Sequence, residues 1–308
     1  MAHLFPAGDL NVTRKTFLSI ALGLTALAGG TAHAQTTPQA QDEQGITVTG
    51  QREVPAKVAR KFVTSVVTTF DGQLARYHSP VCPIVVGLPD QYGAMIVKRM
   101  QAVAEEAGAE VPGIGKCQPN IIIIVAADAD KLVKQLRKQL PGMFSGLPTK
   151  ELRRALRDGP VHVWNTIETQ NEDGATAKSG GIDGGLGDAP TMQVKSVSMI
   201  NASVQQAVIQ SVVVIDDDAL IDKSINQIAE YIAMRTLAGA RPPSPGNEAD
   251  TILTLFDPAA TPPPGLTLVD RSYLEGVYHV RPLGRGVSQR AAIVKRIHDD
   301  SRERSGAD

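Results

Sequence analysis

The strongest candidates for chemistry in this chain are polar side chains on one predicted helix. Gln227, Glu230 and Met234 fall on one helical face at 100° per residue, and Tyr231 lies on its flank. A carboxylate can act as a general base, and amide and phenol groups can hydrogen-bond a peptide or another ligand. These four residues therefore form a predicted cleft, although Gln227 and Glu230 would equally suit a face that simply meets solvent.

A buried strand and a long helix must position this face. Residues 212–215 are an unbroken β-branched run, which is typical of a strand covered on both faces. The three aspartates 216–218 should end the strand and begin the helix, where carboxylates accept hydrogen bonds from free N–H groups. The spacing then predicts one buried stripe, formed by Ile221, Ile225, Ile228 and Ile232.

The chain has only two cysteines, Cys82 and Cys117. In an oxidising compartment an isolated pair favours a disulfide over two free thiols. A zinc site is the alternative, but it would need two further ligands and neither cysteine lies in a CxxC pair. The pair therefore predicts a bridge and no metal.

A glycine-rich loop spans residues 171–190. Its GGIDGGLGD segment is similar to a calcium-binding glycine-rich repeat, but one imperfect copy cannot build the repeating structure that holds the ion. The length of the loop predicts a mobile flap or a surface insertion. No cofactor is predicted from this or any other segment.

The N-terminus has the pattern of an export signal. Arg14 and Lys15 precede an apolar run, residues 17–28, that is too short to span a bilayer. Ala32-His33-Ala34 is the small-x-small pattern of a cleavage site, so we expect cleavage between Ala34 and Gln35. The mature protein is then periplasmic or extracellular, beginning with a disordered linker over 35–53.

One segment of that linker suggests a partner. Ile46 to Arg52 alternates, and it is similar to the short extended motif at the start of Gram-negative outer-membrane receptors, which a periplasmic energising protein grips by strand addition. A tail without a partner is the alternative. A net charge of −1 and an aromatic content of 4 % argue against nucleic-acid binding.

The remaining segments predict a single mixed α/β (α+β) domain over residues 54–300, followed by a frayed tail over 301–308. Strand, helix and strand at 81–88, 92–107 and 120–126 predict a parallel pair joined by a crossover. The other predicted strands are 160–168, 194–204 and 206–215, the last two forming a hairpin around residues 203–206. The other predicted helices are 54–67, 128–140, 149–157, 249–256, 267–280 and 287–297.

The order of these segments resembles a bacterial family of secreted zincin-like domains, which is classed as a domain of unknown function. The resemblance runs through most of the mature chain. It is carried by a Pro-Ile-Val-Val strand, an Asn-Ile-Ile strand, a Val-Val-Val-Ile strand, a Gln-x-x-Glu helix, and the segments Thr-Ile-Leu-Thr-Leu-Phe, Leu-Thr-Leu-Val-Asp and Tyr-Leu-Glu-Gly-Val-Tyr. It implies a zincin-like fold, with a central mixed sheet, a long helix packed on it and a helical C-terminal part.

Zincins are metallopeptidases whose helix carries His-Glu-x-x-His, in which two histidines hold zinc and the glutamate activates its water. Here Gln227, Ile228 and Tyr231 stand at the three ligand and base positions. The resemblance therefore implies the scaffold without the metal. The first hypothesis is a non-catalytic binding or structural module, and the alternative is a peptidase-like hydrolase that uses Glu230 with His78 or His162.

Overall fold

The computed structural model describes residues 53–113, 117–177, 191–195 and 201–306. The predicted signal segment, the Ile46–Arg52 motif and most of the glycine-rich loop lie outside them. The described residues form seven α-helices and six strands, which confirms the predicted mixed α+β class. In chain order the elements are α1 (Ala56–Val66), β1 (Thr69–Phe70), β2 (Gln73–Arg76), β3 (Pro83–Val86), α2 (Asp90–Ala107), β4 (Ile121–Ala126), α3 (Ala129–Gln139), α4 (Thr149–Ala155), β5 (Val161–Gln170), β6 (Gln205–Asp216), α5 (Ile225–Leu237), α6 (Leu268–His279) and α7 (Gly286–Ser305).

Strand β6 is the centre of the sheet. Its first residues pair in parallel with β2, its last six pair in parallel with β4, and its whole length pairs antiparallel with β5. Strand β3 lies outside β4, and β1 lies antiparallel to β2. Because β6 is twelve residues long, it can pair with three other strands.

Both faces of β6 are covered, as its unbroken valine run predicts. Val213 and Ile215 point into a large core that also contains α1, α2, α5 and α6. Val212 and Val214 point into a smaller cluster under α3 and α4, where the rings of Phe144 and Trp164 stack 4.5 Å apart. Alternate side chains of a strand point to opposite faces, so an apolar run of this kind is stable only with helices on both sides.

The predicted strand–helix–strand unit is present, and a disulfide reinforces it. Strands β3 and β4 are parallel, with Pro83 opposite Ile121, and α2 connects them. Cys82 and Cys117 are joined in a disulfide with Cα atoms 5.8 Å apart, which confirms the predicted bridge. The bridge links the residues just before β3 and β4, so it closes the loop that contains α2.

Several predicted boundaries differ from the observed ones. A 3₁₀ turn, Asp218–Leu220, follows β6, and α5 begins only at Ile225, so Ile221 is 62 % exposed instead of buried in the stripe. The described residues 201–204 form no strand, and β6 pairs with β5 instead of closing a hairpin. The predicted helix at 249–256 is only a 3₁₀ turn.

The C-terminal helix is also longer than predicted. Helix α7 extends to Ser305, past the expected start of the tail, because Ser301 is buried and its hydroxyl accepts a hydrogen bond from Val54 N at 3.0 Å. That contact joins the two ends of the described chain. Among the helices described, none is both long and apolar enough to cross a membrane.

Candidate functional site

Gln227, the first predicted cleft residue, completes the N-terminal cap of α5. The Ser224 hydroxyl accepts a hydrogen bond from Gln227 N, and Gln227 Oε1 accepts one from Ser224 N at 3.0 Å. Gln227 Nε2 donates to Pro263 O at 2.8 Å. Both ends of the amide are therefore engaged within the protein.

Glu230 is enclosed by an ion pair and a backbone donor. The residue is 4 % exposed. Its Oε1 accepts from Arg99 Nε at 2.7 Å and lies 2.5 Å from a second nitrogen of the same guanidinium. Its Oε2 accepts from Leu266 N at 2.5 Å. A carboxylate so fully satisfied and covered has no open position for a substrate or an attacking water.

The chain beside Glu230 approaches so closely that only glycine fits at position 265. A Cβ atom placed on Gly265 would lie 2.6 Å from Glu230 Oε2, well inside van der Waals contact. The backbone of residues 265–266 therefore closes directly over the carboxylate. This close approach removes the groove that the sequence pattern predicts on this face of α5.

Tyr231 and Met234 lie in the core. The Tyr231 ring meets Phe256 edge to face at 4.8 Å, and its hydroxyl accepts a hydrogen bond from Arg235 Nη1 at 2.5 Å. Met234 is fully buried. The structure thus brings the four predicted cleft residues together on one helix. It covers Glu230, Tyr231 and Met234 with α2 and with the segment 252–266, and it leaves Gln227 half-buried.

The histidines of the hydrolase hypothesis lie elsewhere. His162 is buried in the smaller cluster, with Nδ1 2.8 Å from Ala155 O and Nε2 3.0 Å from Asp130 Oδ1. Glu230 lies on the other side of the sheet with the large core. His78 is exposed just beyond β2. The contacts described for Glu230 are made by Arg99 and Leu266, and no histidine is among them.

The aspartates at the end of β6 are close enough to each other to hold an ion. Their carboxylate oxygens lie within 4.8 Å of one another, and two of the three side chains are exposed. Asp216 Oδ2 accepts a hydrogen bond from Ala129 N at 3.3 Å, at the beginning of α3. This contact gives Asp216 a structural role in joining β6 to α3, and exposed acidic clusters of this kind are common on protein surfaces.

A pocket that no sequence pattern indicates lies where the C-terminal end of α5 meets β5 and α4. Its volume is about 70 Å³. We call it the arginine pocket, because Arg154, Arg235 and Arg241 are among the residues that line it. The other lining residues are Thr68, Phe70, Glu151, Val163, Trp164, Asn165, Gly239 and Ala240.

The arginine pocket has few sequence signals. Arg154 and Glu151 are spaced i, i+3 on α4 and form an ion pair at 2.8 Å, a local pattern that sequence can suggest. Arg241 reaches Glu151 at 2.7 Å across 90 residues of sequence, and no periodicity could indicate that contact.

Comparison with known proteins gives no relative to support or replace the zincin-like hypothesis. No protein-family model, no curated protein and no solved structure matches this chain.

Proposed function

We propose that the mature chain is an exported, non-catalytic binding or structural module of the cell envelope, with a zincin-like scaffold whose central helix holds no metal. The observation that carries the proposal is the enclosure of Glu230 by Arg99 and Leu266 N. In a metallopeptidase the corresponding helix faces an open cleft, where its glutamate activates a zinc-bound water.

The other helix positions support the same proposal. A zinc ligand needs a lone pair directed at the ion, and the Gln227 amide is instead bonded to Ser224 N and Pro263 O. Ile228 has no donor atom. The Tyr231 hydroxyl accepts from Arg235, within the core. The helix therefore stabilises the protein at each position where a zincin would use it for catalysis.

Export is the second part of the proposal. The signal pattern at residues 14–34 and the Cys82–Cys117 bridge fit an oxidising compartment, since disulfides are rare in the bacterial cytosol. N-terminal sequencing of protein recovered from the periplasmic fraction tests this part. We expect a mature chain that starts at Gln35, and a chain recovered from the cytosol with Met1 retained would contradict it.

Metal analysis and a hydrolysis assay test the absence of catalysis. Purified mature protein should contain far less than one zinc per chain, and it should not cleave a mixed peptide library with or without added zinc. Tightly held stoichiometric zinc, or peptide cleavage that a chelator abolishes, would overturn the proposal. Cleavage that resists the chelator but is lost in Glu230→Gln would favour the hydrolase alternative instead.

A further inference from the structure

The arginine pocket carries more positive than negative charge. Its walls include the guanidinium groups of Arg154, Arg235 and Arg241 and a single carboxylate, that of Glu151. Arg154 and Arg241 both bond to this one carboxylate, at 2.8 Å and 2.7 Å. Glu151 therefore balances only one of its two partners, and the pocket has a formal excess of two positive charges.

Arg235 has no acidic partner among the described residues. One Nη donates to the Tyr231 hydroxyl, and the guanidinium lies over the Tyr231 ring, 5.5 Å from its centroid. Its Nε is buried and has no hydrogen-bond partner within the described part of the chain. A partly buried cation with an unused N–H donor is costly, because it has lost water and gained no counter-charge.

The three cations also act on one another. Burial lowers the pKa of Arg241, and the nearby positive charges of Arg154 and Arg235 lower it further, while Glu151 opposes the change. The three guanidinium groups are therefore close enough to repel one another. An anion placed among them would relieve that repulsion.

The neutral polar groups of the pocket are already engaged. The Thr68 hydroxyl donates to Gly239 O at 2.8 Å. The Asn165 amide donates to Arg235 O at 3.3 Å and accepts from the Ser211 hydroxyl at 2.7 Å. The donors left for a ligand are therefore guanidinium groups, whose planar fork matches carboxylate and phosphate oxygens.

We infer that the arginine pocket binds the oxyanion group, a carboxylate or a phosphate, of the ligand of this protein. The inference rests on the proposed function as a binding module, and it names the chemistry that the module recognises. The pocket volume of about 70 Å³ is room for a few water molecules or for one such group, so the rest of the ligand would extend outward.

Titration of the mature protein with three defined probes tests the inference. Inorganic phosphate represents the phosphate source, and N-acetyl-dialanine with a free C-terminus represents the carboxylate source. The C-terminal amide of the same dipeptide is its uncharged match. Binding is measured by calorimetry at constant ionic strength, because general screening of surface charges also changes with added salt.

Two pocket variants and one matched control separate the pocket from the rest of the surface. Arg235→Lys keeps the charge but removes Nε and the planar fork, and Arg241→Gln removes one charge from a loop position. Arg153→Gln removes a charge from an exposed residue of α4 next to Arg154 that does not line the pocket. Circular dichroism of each variant establishes that it is folded before it is titrated.

Saturable binding of phosphate or of the free carboxylate, but not of the amide, supports the inference. The pocket variants should then weaken binding by at least about tenfold, the scale of one charge-assisted hydrogen bond, and Arg153→Gln should change it by less than about twofold. The probe that binds more tightly identifies the source of the oxyanion. Absence of saturable binding of either anion up to about 10 mM, which is about tenfold above a millimolar dissociation constant, or an equal loss in the control would overturn the inference.

Failure of this inference is distinguishable from failure of the proposed function. Zinc content and peptide cleavage report on α5 and Glu230, whereas the anion titration reports on the far end of α5, with β5 and α4. A protein that binds neither anion and lacks zinc would lose the arginine-pocket inference alone. A protein that binds an anion and also cleaves peptides would lose only the non-catalytic assignment.

Discussion

At the scale of single residues, the most consequential pair is Arg99 with Glu230. We predict that Arg99→Met destabilises the protein by roughly 3 kcal/mol, because it leaves a buried carboxylate with Leu266 N as its one remaining described donor. Methionine retains most of the apolar stem of arginine, so the loss reports mainly on the charge. Urea unfolding of the variant and the wild type gives the difference in the free energy of unfolding.

Lys98→Met, at the adjacent and exposed position of α2, is the matched control. It should change the free energy of unfolding by no more than about 0.5 kcal/mol, as is usual for surface substitutions. A similarly small effect for Arg99→Met would contradict a structural role for the Arg99–Glu230 ion pair.

A second residue predicts how stability depends on pH. Asp270 is fully buried, and burial raises its pKa to about 6 from 3.8, although hydrogen bonds from Thr251, Ile252 and Thr267 act in the opposite direction. Between these two pKa values the folded protein holds a proton that the unfolded chain has lost. The stability contributed by Asp270 is therefore complete below about pH 4 and is lost as the pH rises through about 6.

Asp270→Asn isolates this effect. The Asn amide nitrogen can take the position of Oδ1 and donate to the Thr251 hydroxyl, while its oxygen still accepts from Ile252 N and Thr267 N. We expect the free energy of unfolding of the wild type, relative to this variant, to fall by roughly 2.5 kcal/mol from pH 4 to pH 7. Chemical unfolding at several pH values measures the difference.

The control for the pH series is Asp250→Asn on the protein surface, which should follow the wild-type curve. A difference between the wild type and Asp270→Asn that does not change with pH would mean that this carboxyl titrates alike in the folded and unfolded chains. The pKa of the buried group would then be unshifted.

At the scale of elements, the N-terminus of α5 explains why Gln227 is a poor candidate for ligand binding. Ser224 and Gln227 form a reciprocal capping box, so each satisfies a backbone N–H group that the helix leaves free. Helix α6 has the same arrangement with Thr267 and Asp270. The sequence pattern places the start of α5 at the aspartates 216–218, because aspartate is a good N-cap residue, whereas the observed N-cap is Ser224.

A double-mutant cycle tests the capping box of α5. We predict that Ser224→Ala and Gln227→Ala each cost about 1 kcal/mol, and that the double variant costs less than their sum. Each substitution removes part of the same reciprocal pair, which is why the costs are not additive. Additive costs would show that the two side chains stabilise the helix independently, and thermal or urea unfolding provides the measurement.

Some elements could be predicted from sequence because their signal is local. The valine run of β6 and the helix predicted over residues 267–280 depend on signals from neighbours within a few residues, and both elements form as predicted. Strands β1 and β2 were missed, since the four residues of β2 have no alternating pattern and are buried in succession. Strand β2 is stabilised by pairing with β6, where Ala75 lies opposite Gln206, 131 residues away, and β1 is stabilised by pairing with β2.

At the scale of the whole molecule, the Cys82–Cys117 bridge is the one covalent link between distant segments of the described chain. It closes a sequence separation of 35 residues around α2, the helix that supplies Arg99. We predict that the double variant Cys82→Ser/Cys117→Ser loses roughly 3–4 kcal/mol of stability, chiefly because the unfolded chain gains conformational freedom. Comparison of urea unfolding curves for the oxidised wild type and the double-serine variant measures the loss.

A reducing agent provides the control for the bridge. It should lower the melting temperature of the wild type and leave the double-serine variant unchanged. If the reductant lowers both equally, or neither, the bridge does not contribute to the stability of the folded protein.

The sequence by itself determined the mixed α+β class, the parallel β3–α2–β4 unit, the disulfide pair and the two-sided burial of β6. These features depend on periodicity, on residue type and on short spacings, all of which are local properties of the sequence. Only the tertiary structure decided the roles of Glu230 and of the three pocket arginines. Arg99 meets Glu230 across 131 positions, and Arg241 meets Glu151 across 90. A charge acts over a few ångströms of space and not along the sequence, so whether it faces water, an ion-pair partner or an open pocket depends on how the elements pack.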